Sequence, residues 1–170
     1  MIAYLRENVT GEQTPFTTIL NYSRVGNNLH FKFTCENSKL FSAYSGYNEP
    51  IYRGDVCEVF LCTGEDLRDY YEIEVAPNGT VFFAKIFNDN GLRTSFLEQA
   101  FTANVEITEV GYNVEIVIPC EAVGVKDGTP IRFNAFRIET EGGEENKNLL
   151  ALSPTLVPRF HVPEKFILFE

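Results

Sequence analysis

Glu58 lies inside the run Ile51–Leu61, IYRGDVCEVFL, where Val56, Cys57, Val59, Phe60 and Leu61 favour a buried, pleated strand. An unpaired carboxylate is costly in such surroundings. Glu58 therefore either points to a solvated face or is held in place to bind something. Glu72 and Glu74 follow in a second alternating run, on one side with Tyr70 and opposite Tyr71, Ile73 and Val75. The same alternation puts Glu58 beside Val56 and Phe60. With the two runs paired antiparallel through residues 63–69, all three carboxylates share one sheet face. Three readings fit. The face is a wet exterior with no ligand, a polar floor for a polyhydroxylated ligand, or a glycosidase pair of Glu58 with Glu72 or Asp55. The last needs two carboxyl groups at a defined separation and one raised pKa.

Aromatic residues outside the alternating runs are the second candidate group. Tyr44, Tyr47 and Tyr52 surround the loop 45–50, and Phe160 sits in RFHVPEKF near the C-terminus. Rings on loops either cap a core edge or stack on the apolar C–H face of a sugar. His30 belongs to a polar strand face, and His161 follows Phe160 in the tail. There is no GxSxG turn for a nucleophile, no Asp-rich calcium loop and no phosphate-binding glycine loop. Cysteine and histidine spacing offers no zinc site, so no metal ligand is assigned. A structural calcium is compatible with the many carboxylates, but no motif indicates one.

The elements that must position these residues are strands. Leu29 to Glu36 alternates Leu, Phe, Phe, Cys with His, Lys, Thr, Glu, the pattern of a half-buried antiparallel strand. Asn78-Gly79 after Pro77 marks a hairpin into the run from Val81, and Gly111-Tyr112 marks a second. Further strands are expected near 17–25, 41–44, 102–108, 112–118, 131–139, 149–152 and 166–169. Helical turns are expected only at Pro119–Val123 and around Leu97. The acidic stretch 139–148, ETEGGEENKN, reads as one exposed loop. About ten short, turn-punctuated strands predict an all-β fold, an antiparallel, jelly-roll-like β-sandwich of two sheets. Residues 1–170 are expected to form a single such domain.

Composition narrows the partners. A formal net charge of −10 repels phosphate backbones and excludes nucleic acid as an expected partner. No apolar run approaches the ~20 residues of a membrane helix. The first residues do not read as a signal peptide, which predicts a cytoplasmic protein. Cys35, Cys57, Cys62 and Cys120 are expected as buried reduced thiols. Cys57 and Cys62 differ in strand parity and so cannot pair with each other. The oligomeric state is left open.

Four segments in order, IYRGDVCEVFL, YYEIEVAPNGTV (70–81), IRFNAFRIE (131–139) and LSPTLVPRFHVPEKFILFE (152–170), resemble the family 9 carbohydrate-binding modules of the DOMON-related superfamily. The likeness runs from about Leu29 to Glu170, and its first and last blocks are the specific ones. It implies a β-sandwich without catalytic machinery or cofactor, binding a sugar or a glycan chain end. Carried over by motif, the two-ring sugar clamp falls on Tyr52 and Phe160, with His161 beside the latter, and the hydroxyl-binding glutamate on Glu58. Glu72 and Glu74 stand where sugar binders of the family carry Arg and Asn, and the chain has no Trp. Arg53 and Arg137 are the candidate replacement donors. The competing expectations are an interaction domain that has lost sugar binding and the glycosidase above. Haem ligation is disfavoured because only Met1, His30 and His161 could serve axially.

Overall fold

The computed structural model describes residues 1–37, 39–126, 128 and 130–170. Its strands are β1 (Ile2–Tyr4), β2 (Arg6–Glu7), β3 (Thr18–Val25), β4 (Asn28–Glu36), β5 (Val56–Cys62), β6 (Asp69–Val75), β7 (Val81–Asn88), β8 (Leu92–Phe96), β9 (Thr102–Thr108), β10 (Gly111–Pro119), β11 (Arg132–Glu139), β12 (Asn148–Ala151) and β13 (Ile167–Leu168). One sheet has the order β1-β3-β4-β10-β9. The other runs β2-β12-β11-β5-β6-β7-β8, with β13 also pairing to β11. The pairings are antiparallel, as the alternating runs require. The result is the expected all-β sandwich.

The inward residues of both sheets make the main core. Leu20, Phe31, Phe33, Val114 and Ile116 of the smaller sheet meet Val59, Leu61, Ile73, Val75, Phe83 and Phe133 of the larger. A second apolar cluster covers the outer face of the larger sheet: Val56, Phe60, Tyr70, Phe82, Ile86 and Phe136 under Phe160 and Phe166 of the C-terminal segment. Every residue of β5 is consequently buried, because both of its faces are covered. Cys57 and Cys62 fall in different clusters, on opposite faces as their parity requires. All four cysteines are free and buried, and the Cys35 and Cys57 Sγ atoms lie 3.5 Å apart between the sheets.

Both expected hairpins form, over 76–80 and 109–110. Gly111 is obligatory at the second, since a Cβ there would lie 1.9 Å from the Cys35 carbonyl oxygen on β4. Several local expectations are corrected. Residues 41–44 form no strand; the Phe41 backbone instead bonds around Asp55, its N–H to Oδ2 at 2.6 Å and its carbonyl to the Asp55 N–H. The region of Leu97 is not helical, and its N–H pairs with Phe83 O at 3.0 Å. A single 3-10 turn, Cys120–Val123, takes up the other helical expectation. β8 was not anticipated, nor were the short β1 and β2. The acidic loop is shorter than 139–148, because Glu139 ends β11 fully buried and Asn148 begins β12.

Candidate functional site

Register builds the site. Glu58 on β5 pairs directly with Glu74 on β6, which pairs with Phe82 on β7; on its other side Glu58 faces Phe136 of β11. The next row on the same outer face is Phe60, Glu72, Ala84 and Phe96, across β5 to β8. Two rows of alternating strands thus enclose three carboxylates in aromatic rings. Ala84, with only a methyl group, leaves room between Glu72 and Phe96. One carboxylate oxygen from each of Glu58, Glu72 and Glu74 lies within 4.8 Å of the others. All three side chains are buried, and Glu74 Oε2 has no hydrogen-bond partner.

Above this floor is a cavity of about 590 Å³, within the range of small-ligand sites. Its lining includes Tyr52, Phe82, Phe96, Phe160 and His161 with the three glutamates. Tyr52 is 42% exposed and Phe96 62% exposed, so these rings present free faces. Phe160 stacks on Phe136, with ring centroids 4.2 Å apart and planes 17° from parallel, so protein already covers one of its faces. Phe96 stands edge-on to Phe82, at 5.6 Å and 82°. Lys147, from the acidic loop, also lines the cavity; its Nζ donates to the Tyr52 carbonyl at 3.0 Å.

The C-terminal segment carries Phe160 and His161 over the sheet because buried asparagines anchor it. Asn8 Nδ2 donates to Thr155 Oγ1 and Val157 O, both at 2.8 Å, while its Oδ1 accepts from Thr155 N at 3.0 Å. Asn134 Nδ2 donates to Ser153 O at 2.7 Å. His161 Nδ1 bonds the Tyr70 hydroxyl at 2.8 Å, and its Nε2 lies 3.7 Å from Glu72 Oε1. Burial, reinforced by Arg159, pushes the imidazole down to about 4, so the ring is neutral at neutral pH.

Burial pushes the carboxyl groups the other way. Glu72 rises to about 7. Glu58 and Glu74 stand well above the usual carboxylate range, first through desolvation and then through repulsion within the cluster, which Lys147 partly offsets. The cluster therefore carries fewer than three charges near pH 7. Its carboxyl groups can donate as well as accept hydrogen bonds.

The expected site residues divide. Tyr52, Glu58, Glu72, Glu74, Phe160 and His161 come together around the one cavity. Arg53 does not join them: its guanidinium contacts Glu144 at 3.7 Å and the Tyr44 hydroxyl at 3.3 Å. Arg137 is a correction. It pairs across the strands with Cys57, not Glu58, and so projects into the sandwich. There it bonds Thr18 Oγ1 at 2.8 Å, Glu36 O at 3.0 Å and the Glu139 carboxylate. Asp55 is likewise a buried staple, receiving Thr140 N at 2.8 Å, and is no partner for Glu58. Sequence reasoning missed Phe82, Phe96 and Lys147. The dipeptide Asn90-Gly91 could have revealed Phe96, since it turns β7 into β8, with Asn90 at φ 53° and Gly91 at φ 146°.

No known family profile matches the chain. It is 30% identical over 148 residues to "Extracellular protein" of Arthroderma benhamiae, an alignment spanning 76% of this chain and 67% of the fungal one. The chain belongs to the same family as that fungal protein. Among solved structures, a Bacteroides uniformis protein provisionally described as carbohydrate-binding superposes with TM-score 0.80 at 18% identity, over 98% of this chain and 84% of its own. A family 9 carbohydrate-binding module (CBM9) from Caldicellulosiruptor kristjanssonii, in complex with cellotriose, gives TM-score 0.64 at 18% identity, over 89% and 72%. A CBM9 from the same organism in complex with glucose gives 0.68 at 16% identity, over 96% and 81%. The fold is CBM9-like. Within this CBM9-like sandwich, the cavity lies on the outer face of the larger sheet, under the C-terminal segment that carries the FHVPE motif.

Proposed function

We propose that the chain is a non-catalytic carbohydrate-binding domain that holds a sugar ring or glycan chain end in the cavity over Glu58, Glu72 and Glu74. The observation that carries this reading is the composition of the cavity: exposed rings at Tyr52 and Phe96 beside a compact set of buried carboxyl groups. Rings supply flat apolar contact for the C–H face of a pyranose, and carboxyl groups bond its hydroxyls. The sugar complexes of the CBM9 modules sharing this fold support the same reading.

The placement of the carboxyl groups argues against hydrolysis. A glycosidase pair flanks the scissile bond, with acid and nucleophile or base on different sides of it. Glu58, Glu72 and Glu74 instead sit on adjacent strands of one floor, all on the same side of whatever occupies the cavity.

The test is titration calorimetry against a panel of mono- and oligosaccharides, with Tyr52→Ala as the control. At least one sugar should bind, and Tyr52→Ala should weaken it by about tenfold, the equivalent of one lost stacking contact. A panel without any binder, or unchanged affinity in the variant, refutes the reading.

A further inference from the structure

Among the described residues, no lysine or arginine forms a salt bridge with any of the three glutamates. Among the described residues, the basic nitrogen within 4 Å of any of them is His161 Nε2, 3.7 Å from Glu72 Oε1, and that ring is neutral. Lys147 is held at the Tyr52 carbonyl and over the Tyr52 ring, with its Nζ 5.9 Å from the ring centroid. Glu74 is 1% exposed, and its Oε2, on the shared floor, has no donor. A buried acceptor without a donor costs free energy until something supplies one.

We propose that the cavity selects a sugar bearing a free amine, a 2-amino-2-deoxy hexose or the end of a chain of them. This assignment rests on the carbohydrate-binding reading above and specifies its ligand. An ammonium group has three N–H donors and one positive charge, which matches three convergent carboxyl groups, and charge-assisted bonds are the stronger kind. The surrounding rings of Phe82, Phe96 and Phe160 add the aromatic faces that favour a cation. A calcium ion fits less well: it takes six to eight oxygen ligands, whereas this group supplies three carboxylates in a cavity far larger than an ion. An N-acetyl group would remove the charge and leave the carboxyl groups unsatisfied.

Amine binding also has a proton signature. Burial raises the carboxyl groups of Glu58, Glu72 and Glu74, Glu72 to about 7, and an incoming ammonium stabilises their ionised forms. The other groups facing the cluster are Lys147, Arg159, His161 and Tyr70. Burial keeps His161 and Tyr70 neutral across this range, so protons released by the protein come from the glutamates.

The experiment is calorimetry of the whole chain at pH 7 with D-glucosamine, D-glucose, N-acetyl-D-glucosamine and calcium chloride, in two buffers of different ionisation enthalpy. Glucosamine should bind at least about tenfold more tightly than either other sugar. Its enthalpy should differ between buffers, reporting proton release, while that of glucose should not. Glu74→Gln keeps side-chain size and removes a buried acid, so it should fold, and it should cut the glucosamine preference to less than about threefold. Equal or better binding of glucose or N-acetylglucosamine overturns the amine assignment and leaves the carbohydrate reading standing. If none of the sugars on this or the wider panel binds, both fail. Calcium that binds and resists competition by glucosamine overturns the amine assignment in favour of a metal site.

Discussion

At the scale of the residue, Glu72 shows what the site costs the fold. Its folded-state pKa, about 7, lies above the 4.5 of an unstrained glutamate, so the native state holds a proton that the unfolded chain has already released. Stability from this group is therefore intact below about 4.5 and is lost as pH rises through 7. A shift of this size corresponds to about 3 kcal/mol. Glu72→Gln should leave melting near pH 4 almost unchanged and raise it at pH 8 by about 5 to 10 °C. Calorimetric scans of both proteins at the two pH values check this; parallel pH profiles would contradict the buried placement of the charge. Strand parity alone made the shared face of Glu58, Glu72 and Glu74 legible in the sequence. Their burial was not legible, because it depends on the distant C-terminal segment folding over that face.

At the scale of the element, that segment is the part of the site least fixed by strand pairing. Residues 153–166 cross the sheet with little ladder bonding, and Asn8 substitutes for it. Its amide bridges Thr155 and Val157, its backbone N–H donates to Leu149 O, and its carbonyl accepts from Leu156 N. Asn8→Ala leaves the buried Thr155 N–H without its acceptor and removes a donor from Thr155 Oγ1 and Val157 O, at about 1 to 3 kcal/mol. The loss should be local: amide exchange should quicken across 155–161, and sugar affinity should fall as Phe160 and His161 lose their position. Uniform exchange in both proteins would show that the anchor lies elsewhere. Nothing in the sequence pointed to Asn8, since a lone asparagine before Val-Thr-Gly reads as turn chemistry. The long alternating strands β4, β6 and β10 were legible because period-two patterning is strong over seven to nine residues. β1 and β2 are two or three residues long and carry no such pattern, whereas β13, though only two residues long, falls within the expected run 166–169.

At the scale of the whole molecule, the two sheets are joined at one end by charge as well as by the apolar core. Arg137 of β11 reaches across to Thr18 Oγ1 and the Thr17 and Glu36 carbonyls of the smaller sheet, lies over the Tyr112 ring, and pairs with Glu139. Asp55 stands at the same end, tied to Phe41 and Thr140. A family motif drew attention to Arg137 as a sugar donor, yet one step of register sends its side chain to the opposite face from Glu58. The two placements predict different behaviour for one variant. With Arg137 between the sheets, Arg137→Met fills most of the volume but leaves Glu139 buried and unpaired, which should cost about 3 to 5 kcal/mol in urea unfolding. Sugar affinity, measured at a temperature where the variant remains folded, should stay within about twofold, because no atom of Arg137 reaches the cavity lining. A stable variant with weakened binding would return Arg137 to the ligand site. A destabilised variant that binds normally means the sandwich spends its one fully buried arginine on holding its sheets together, and the cavity must recognise its ligand with glutamates and rings.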